Sequence, residues 1–183
     1  MKIFNLILIA SVLFCFNVSS NGAYARDTLI IGITQFPSSL HPNIDSMLAK
    51  SYLHGFTRRP LTVYNSAWQL QCMLCTTLPT LENGLAKKVL SPDGKSGIAV
   101  TYTIHPSARW GDGNPVSTKD VIFTWKVGRH PKSGVSNMEF YRSLYKIETV
   151  DQKTFTFYFD KITFKYNDVS NLQILPSHID RIN

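Results

Sequence analysis

Residues 108–127 read ARWGDGNPVSTKDVIFTWKV, from Ala108 to Val127. A strand carrying Trp110 passes into a turn of Asp112, Gly113, Asn114 and Pro115, and the turn passes into a helix. Ser117 followed three residues later by Asp120 is a capping box, in which each residue satisfies a backbone amide of the other. At about 100° per residue Val121, Ile122 and Trp125 share one helix face, and Phe123 and Val127 lie nearly opposite. A helix apolar on two sides is predicted to lie between layers. Asp112 with Asn114 is a fragment of a calcium-loop pattern, but the other ligands at that spacing are missing. The stretch reads as scaffold: it swings a strand sharply into a capped helix.

The chain begins Met1–Lys2 and is apolar from Ile3 to Phe16, interrupted only by Asn5 and Ser11; a polar stretch then ends in Ala23–Tyr24–Ala25. A basic start, a short apolar core and a small-x-small site predict a secretory signal peptide over residues 1–25, cleaved after Ala25. As a helix, Ile3–Phe16 covers about 21 Å, short of a bilayer core of about 30 Å, so an anchor fits less well. Residues 26–183 suffice for one medium domain. The formal charge of +7 is scattered: Arg58–Arg59 and Lys87–Lys88 are the only adjacent basic pairs. Without a basic stripe, nucleic acid is not an expected partner.

No nucleophile elbow, phosphate loop or closely spaced pair of metal-binding histidines is present, so neither an enzyme, nor a cofactor, nor a metal is expected. Beyond the leader the cysteines are Cys72 and Cys75, in QLQCMLCTT. In an oxidising compartment such a pair is a candidate structural disulfide or a pair of buried thiols. A C-x-x-C is also open to redox or zinc use, although the strand-then-helix setting of a reactive thiolate and a second ligand pair are both lacking.

Along the chain, DTLIIGIT (27–34) is predicted as a buried first strand, and the proline-rich QFPSSLHPNID as a loop. Asp45 is predicted to cap a helix with Met47, Leu48, Tyr52 and Phe56 at helical spacing, and Gly55 fits near its end. RPLTVYN is a short strand. In LAKKVLSPDGKSGIAVTYTIH, Ile98, Val100, Tyr102 and Ile104 alternate with Ala99, Thr101, Thr103 and His105, which predicts a hairpin with one buried face and His105 on the wet one. Gly128, a basic run and then Pro131 are expected to end the helix after Trp125. LYKIETVDQKTFTFYF predicts a second hairpin, with Phe155, Phe157 and Phe159 on one face as core or as an aromatic ligand platform.

GIAVTYTIHPSARWGDGNPVSTKDVIFTWKV resembles the signature region of the family 5 extracellular solute-binding proteins, the dipeptide, oligopeptide and nickel receptors of bacterial ABC importers. The matching positions are the strand Tyr102–Thr103–Ile104, the turn of Trp110, Asp112, Gly113, Pro115 and Val116, and the helix Asp120–Trp125. PSSLHP is similar to the family's Leu-Asp-Pro loop, with His41 in place of the acid, and LQILPSHI is similar to a segment from the middle of the family's proteins. The resemblance implies a mixed α+β fold of the type II periplasmic-binding-protein class. It implies that residues 26–183 are the N-terminal portion: the first strand of the large lobe and most of the small one. Its further implications are a periplasmic receptor without catalytic activity, hinge closure on a peptide or other small solute, and docking on an ABC permease at the inner membrane. Gln35, Phe36 and Pro37, just after the first strand, are the implied ligand neighbours. The Cys72/Cys75 pair lies outside the family's general pattern.

Two other readings stay open on sequence grounds. One is a stand-alone secreted binding module using the Phe155/Phe157/Phe159 face. The other is a thiol–disulfide protein using Cys72 and Cys75.

Overall fold

A computed structural model describes residues 28–179. The elements within that range are α1 Leu48–Thr57, β1 Thr62–Tyr64, β2 Leu70–Cys72, β3 Ala86–Leu90, β4 Ser96–Thr103, α2 Thr118–Arg129, α3 Met138–Ser143, β5 Leu144–Thr149 and β6 Thr154–Phe159. β1 and β2 form a small antiparallel ribbon; the other strands form an antiparallel sheet in the order β3-β4-β6-β5. The segment proposed as a signal peptide lies outside the described residues.

Both predicted hairpins are present, and they meet side by side. β4 pairs with β6 in the register Val100 with Phe157 and Tyr102 with Phe155. The period-2 pattern of each strand then delivers its apolar residues to the same side. Ile98, Val100, Tyr102, Ile104, Phe155 and Phe157 have no solvent exposure, whereas His105 is on the wet face. The rings pack tightly, with Phe155 and Phe157 centroids 4.8 Å apart and Tyr102 stacked 5.9 Å from Phe155. The Tyr102 hydroxyl donates to the Asn167 carbonyl at 2.9 Å, so its burial leaves no orphan donor. The three phenylalanines are therefore core and cannot serve as a ligand platform, because the helical layer and the 166–175 segment cover that face.

The expected first strand is not formed within residues 28–34. Leu29 and Ile30 are 78% and 82% exposed. An apolar run becomes a strand only when neighbours take its backbone groups, and among the described residues no strand pairs with it. Residues 28–33 belong to a unit separate from the one that begins at Thr34.

Asp45 does not cap α1. The N-cap is Met47, without a side-chain cap, and Asp45 sits two residues earlier at φ 58°. Its carboxylate accepts from the Ser38 hydroxyl and its carbonyl from the Lys50 ammonium. Lys50 is buried and also donates to the carbonyls of His41 and Ile44. The loop is thus wound around one lysine, and α1 buries Ala49 and Lys50 while Leu48, Tyr52 and Phe56 face outward. The helix runs past Gly55 to Thr57.

α2 starts as predicted: the Ser117 amide donates to Asp120 Oδ2 at 2.8 Å. Its end differs. The helix continues through Gly128 to Arg129, with His130 as C-cap. Gly128 is buried because the Tyr141 ring of α3 lies on it; a Cβ there would meet the ring at 2.3 Å. Nor is α2 sandwiched between two apolar layers. Its fully buried positions are Thr118, Asp120, Val121, Thr124 and Gly128, while Phe123 and Val127 are half-buried. The buried face is rich in small and polar groups because it receives backbone: the Leu175 amide donates to Thr124 Oγ1 at 2.8 Å, and the Ser177 amide to Asp120 Oδ1 at 2.8 Å.

Candidate functional site

The signature turn is braced from several sides. The Trp110 amide donates to the Asn114 carbonyl at 2.8 Å, Gly113 takes a φ of 87°, and the Asn114 amide donates to Asp112 Oδ1 at 3.0 Å. Lys153, from the turn before β6, donates to the Val116 carbonyl at 2.6 Å. Trp110 Nε1 reaches Asp120 Oδ2 at 3.3 Å, and His178 Nε2 lies 2.6 Å from Asp112 Oδ2. The His178 contact, then the Asn114 amide and side chain, hold the Asp112 carboxyl down at about 2. The polar groups of Trp110, Asp112, Asn114 and Asp120 are thus taken up by contacts within the protein, which agrees with reading the turn as scaffold.

Open space lies instead around α1. His54 lies in the last turn of α1 and Arg58 is its C-cap, and both line two neighbouring cavities. One, of about 450 Å³, lies between α1 and α3 and is lined by Lys50, His54 and Arg58 with Asp45, Tyr141 and Gln173 among its walls. The other, of about 660 Å³, is bounded by Leu53, His54 and Arg58 together with Arg109, Trp110 and Pro176. Both volumes suit small-molecule pockets. The linings carry more positive than negative charge. Burial, then the charges of Arg58, Lys50 and His41, push the His54 pKa below its ordinary value, so the ring is neutral at pH 7. His54 Nε2 and the Tyr141 hydroxyl are buried without a hydrogen-bond partner. Burial alone pushes the Tyr141 hydroxyl up to about 12, so it remains a donor.

Sequence reading pointed elsewhere. Gln35 and Phe36 are exposed, Pro37 is buried, and none of the three lines either cavity. His54 carried no signal in sequence, being one of five scattered histidines. Tyr141 carried none either, since only the tertiary packing of α3 on α2 brings it to α1. Cys72 and Cys75 form a disulfide at the end of β2, with the buried Cys75 Sγ 3.1 Å from the Leu61 carbonyl. Among the described residues, no group of three or more His, Cys, Asp or Glu could hold a metal ion.

Solved structures place this architecture among the periplasmic binding proteins. The oligopeptide-binding protein of Thermus thermophilus, solved with a pentapeptide, superposes with a TM-score of 0.65 at 30% identity, over 74% of this chain and 22% of that one. The oligopeptide-binding protein AppA of Bacillus subtilis, solved with a nonapeptide, shares the fold at 19% identity and a TM-score of 0.59, over 75% of this chain and 25% of that one. In sequence, the oligopeptide-binding protein OppA of Bacillus subtilis is 30% identical over 120 residues, 62% of this chain and 19% of that protein. Residues 80–182 match the family described as bacterial extracellular solute-binding proteins, family 5 Middle. The chain belongs to this family, whose members bind solutes and are not enzymes. It spans about a fifth to a quarter of the length of these relatives.

Proposed function

We propose that the protein is the substrate-binding component of an ABC importer that takes up peptides or similar small solutes, and that this chain corresponds to the N-terminal part of such a two-lobed receptor. Residues 1–25 are its export signal, cleaved after Ala25, and residues 26–183 act in the periplasm. A permease at the inner membrane is its partner. Gln35, Phe36 and Pro37 border the solute. The observation that carries this reading is the 30% identity and TM-score of 0.65 with a relative solved around a pentapeptide. The electropositive cavities beside α1 agree with a solute that carries a free carboxylate.

The test is to express the gene, recover the periplasmic fraction, sequence the mature N-terminus and record a native mass spectrum. The expected result is a chain starting at Arg26 that carries peptide-sized adducts. An uncleaved chain kept in the cytoplasm, with no adduct after incubation with a tri- to pentapeptide mixture, overturns the reading.

A further inference from the structure

We propose that Lys50 is a positioning residue for solute binding: its ammonium is a tethered cation that shapes the loop of residues 41–45 and, through Asp45 and Ser38, aims the segment Gln35–Pro37. The inference rests on the solute-receptor reading, and on the place that reading gives Gln35, Phe36 and Pro37 beside the solute.

Lys50 stands in the first turn of α1 and is 4% exposed. Its ammonium donates to the carbonyls of His41, Ile44 and Asp45. An ammonium has three protons and no acceptor, so these bonds use it completely. A lysine this buried is ordinarily paired with an acid, yet among the described residues none forms an ion pair with it. Carbonyl oxygens converging on one point are the arrangement that holds a hard cation. Here the chain supplies that cation from its own helix.

The convergence sets the turn of the backbone at Asp45. Its φ of 58° is a left-handed conformation, uncommon outside glycine, that the surroundings have to hold. Lys50 holds it through the Asp45 carbonyl, and the Asp45 carboxylate then accepts from the Ser38 hydroxyl seven residues earlier. The Ser38 amide also donates to Met47 Sδ at 3.5 Å, so residue 38 is gripped from the far end of the loop. Ser38 directly follows Pro37, which is buried and whose ring fixes φ. A constraint on Ser38 therefore reaches Phe36 and Gln35, both exposed to solvent.

The middle of the loop is fastened to the rest of the protein. The Ser136 amide donates to the Asn43 carbonyl at 2.9 Å, Asn43 Nδ2 donates to the Gln173 carbonyl at 3.1 Å, and Ile44 bridges to Val135. With that side fixed, the Lys50 bonds decide where the other side, and Ser38 with it, comes to lie. Arginine does not substitute, because its planar fork spreads its donors where three carbonyls meet one compact group.

Isothermal titration of the full chain with trialanine, at a temperature where each variant is folded by circular dichroism, separates positioning from plain support of the fold. Lys50→Ala should weaken trialanine at least tenfold. Added propylammonium, which replaces the missing part of the side chain, should restore most of the affinity, whereas Lys50→Arg should stay weak. Ser38→Ala breaks the chain of contacts at an exposed residue and leaves Lys50 in place, so it carries the test even if Lys50→Ala does not fold. It should weaken trialanine at least fivefold with Tm unchanged. Ser38→Ala that binds like the parent overturns the positioning role, as does Lys50→Ala that melts earlier but binds like the parent; in both cases the receptor reading survives. A parent chain that binds neither trialanine nor any member of a tri- to pentapeptide mixture overturns that reading, and the positioning role with it.

Discussion

Asp120 and Ser177 are 57 positions apart in sequence, and the Ser177 hydroxyl donates to Asp120 Oδ1 at 2.6 Å. The Ser177 amide reaches the same oxygen at 2.8 Å, while Oδ2 accepts from the Ser117 amide at 2.8 Å and from Trp110 Nε1 at 3.3 Å. One buried carboxylate thus fastens the signature turn, the start of α2 and the 172–177 segment together.

Asp120→Asn keeps the size of the side chain and replaces one acceptor oxygen by a donor. It leaves buried donors facing a donor, at a cost of about 3 kcal/mol. Urea denaturation should show the midpoint falling with an unchanged slope; a loss below about 1 kcal/mol would mean that the contacts are not the anchor described.

Gly128→Ala tests the seat of Tyr141. In an open helix the change stabilises by up to about 1 kcal/mol, but here the added methyl meets the Tyr141 ring at 2.3 Å. Overpacking of this kind costs about 1–3 kcal/mol. The sign decides: a destabilised variant, partly rescued by Tyr141→Leu in the same chain, is expected from a thermal melt.

Two phenylalanines should behave oppositely. Phe157→Ala removes a ring with no exposure from the centre of the sheet and should cost about 3–5 kcal/mol. Phe36 is 91% exposed, and Phe36→Ala should leave stability within about 0.5 kcal/mol. Any larger fall in solute affinity for Phe36→Ala than in stability would support its placement at the ligand.

Replacing both Cys72 and Cys75 by serine opens a loop of about four residues, and the chain-entropy relation assigns about 2 kcal/mol to a closure this short. The double variant in buffer and the parent protein in reductant should lose the same stability. A loss confined to the variant would assign the effect to packing of the buried Cys75 instead.

Acid stability should depend on Asp112. Its carboxyl is held at about 2 in the folded chain, mainly by His178, against an ordinary value of 3.8. A carboxyl with a depressed folded-state value binds its proton more tightly when unfolded, so its contribution is present above about pH 4 and is lost as pH falls towards 2. Asp112→Asn should therefore melt below the parent at pH 5, with the gap closing by pH 2; parallel melting curves across that range would exclude the His178 contact as the cause.

Much of the frame was legible in sequence because it rests on local rules. Alternation in Ile98–Ile104 and Phe155–Phe159 specified strand faces, and the Ser117/Asp120 spacing specified a helix start, since both follow from the fixed geometry of neighbouring residues. The first strand was misread because LIIGI supplies strand propensity but no partner for its backbone groups. The start of α1 was misread because the Lys50 side chain, a few residues downstream, draws the carbonyls of Ile44 and Asp45 onto itself and overrides the capping preference of an aspartate.

The sequence by itself determined the two hairpins, the braced turn at Trp110 and the family, each written in residues close together in the chain. Only the tertiary structure decided that β4 lies against β6 and that Tyr141 rests on Gly128. It alone brought Tyr141 and His54 to the walls of one cavity. The reason is physical: contacts between distant segments are selected by how the packed surfaces fit as a whole, and no local spacing of residues records that fit.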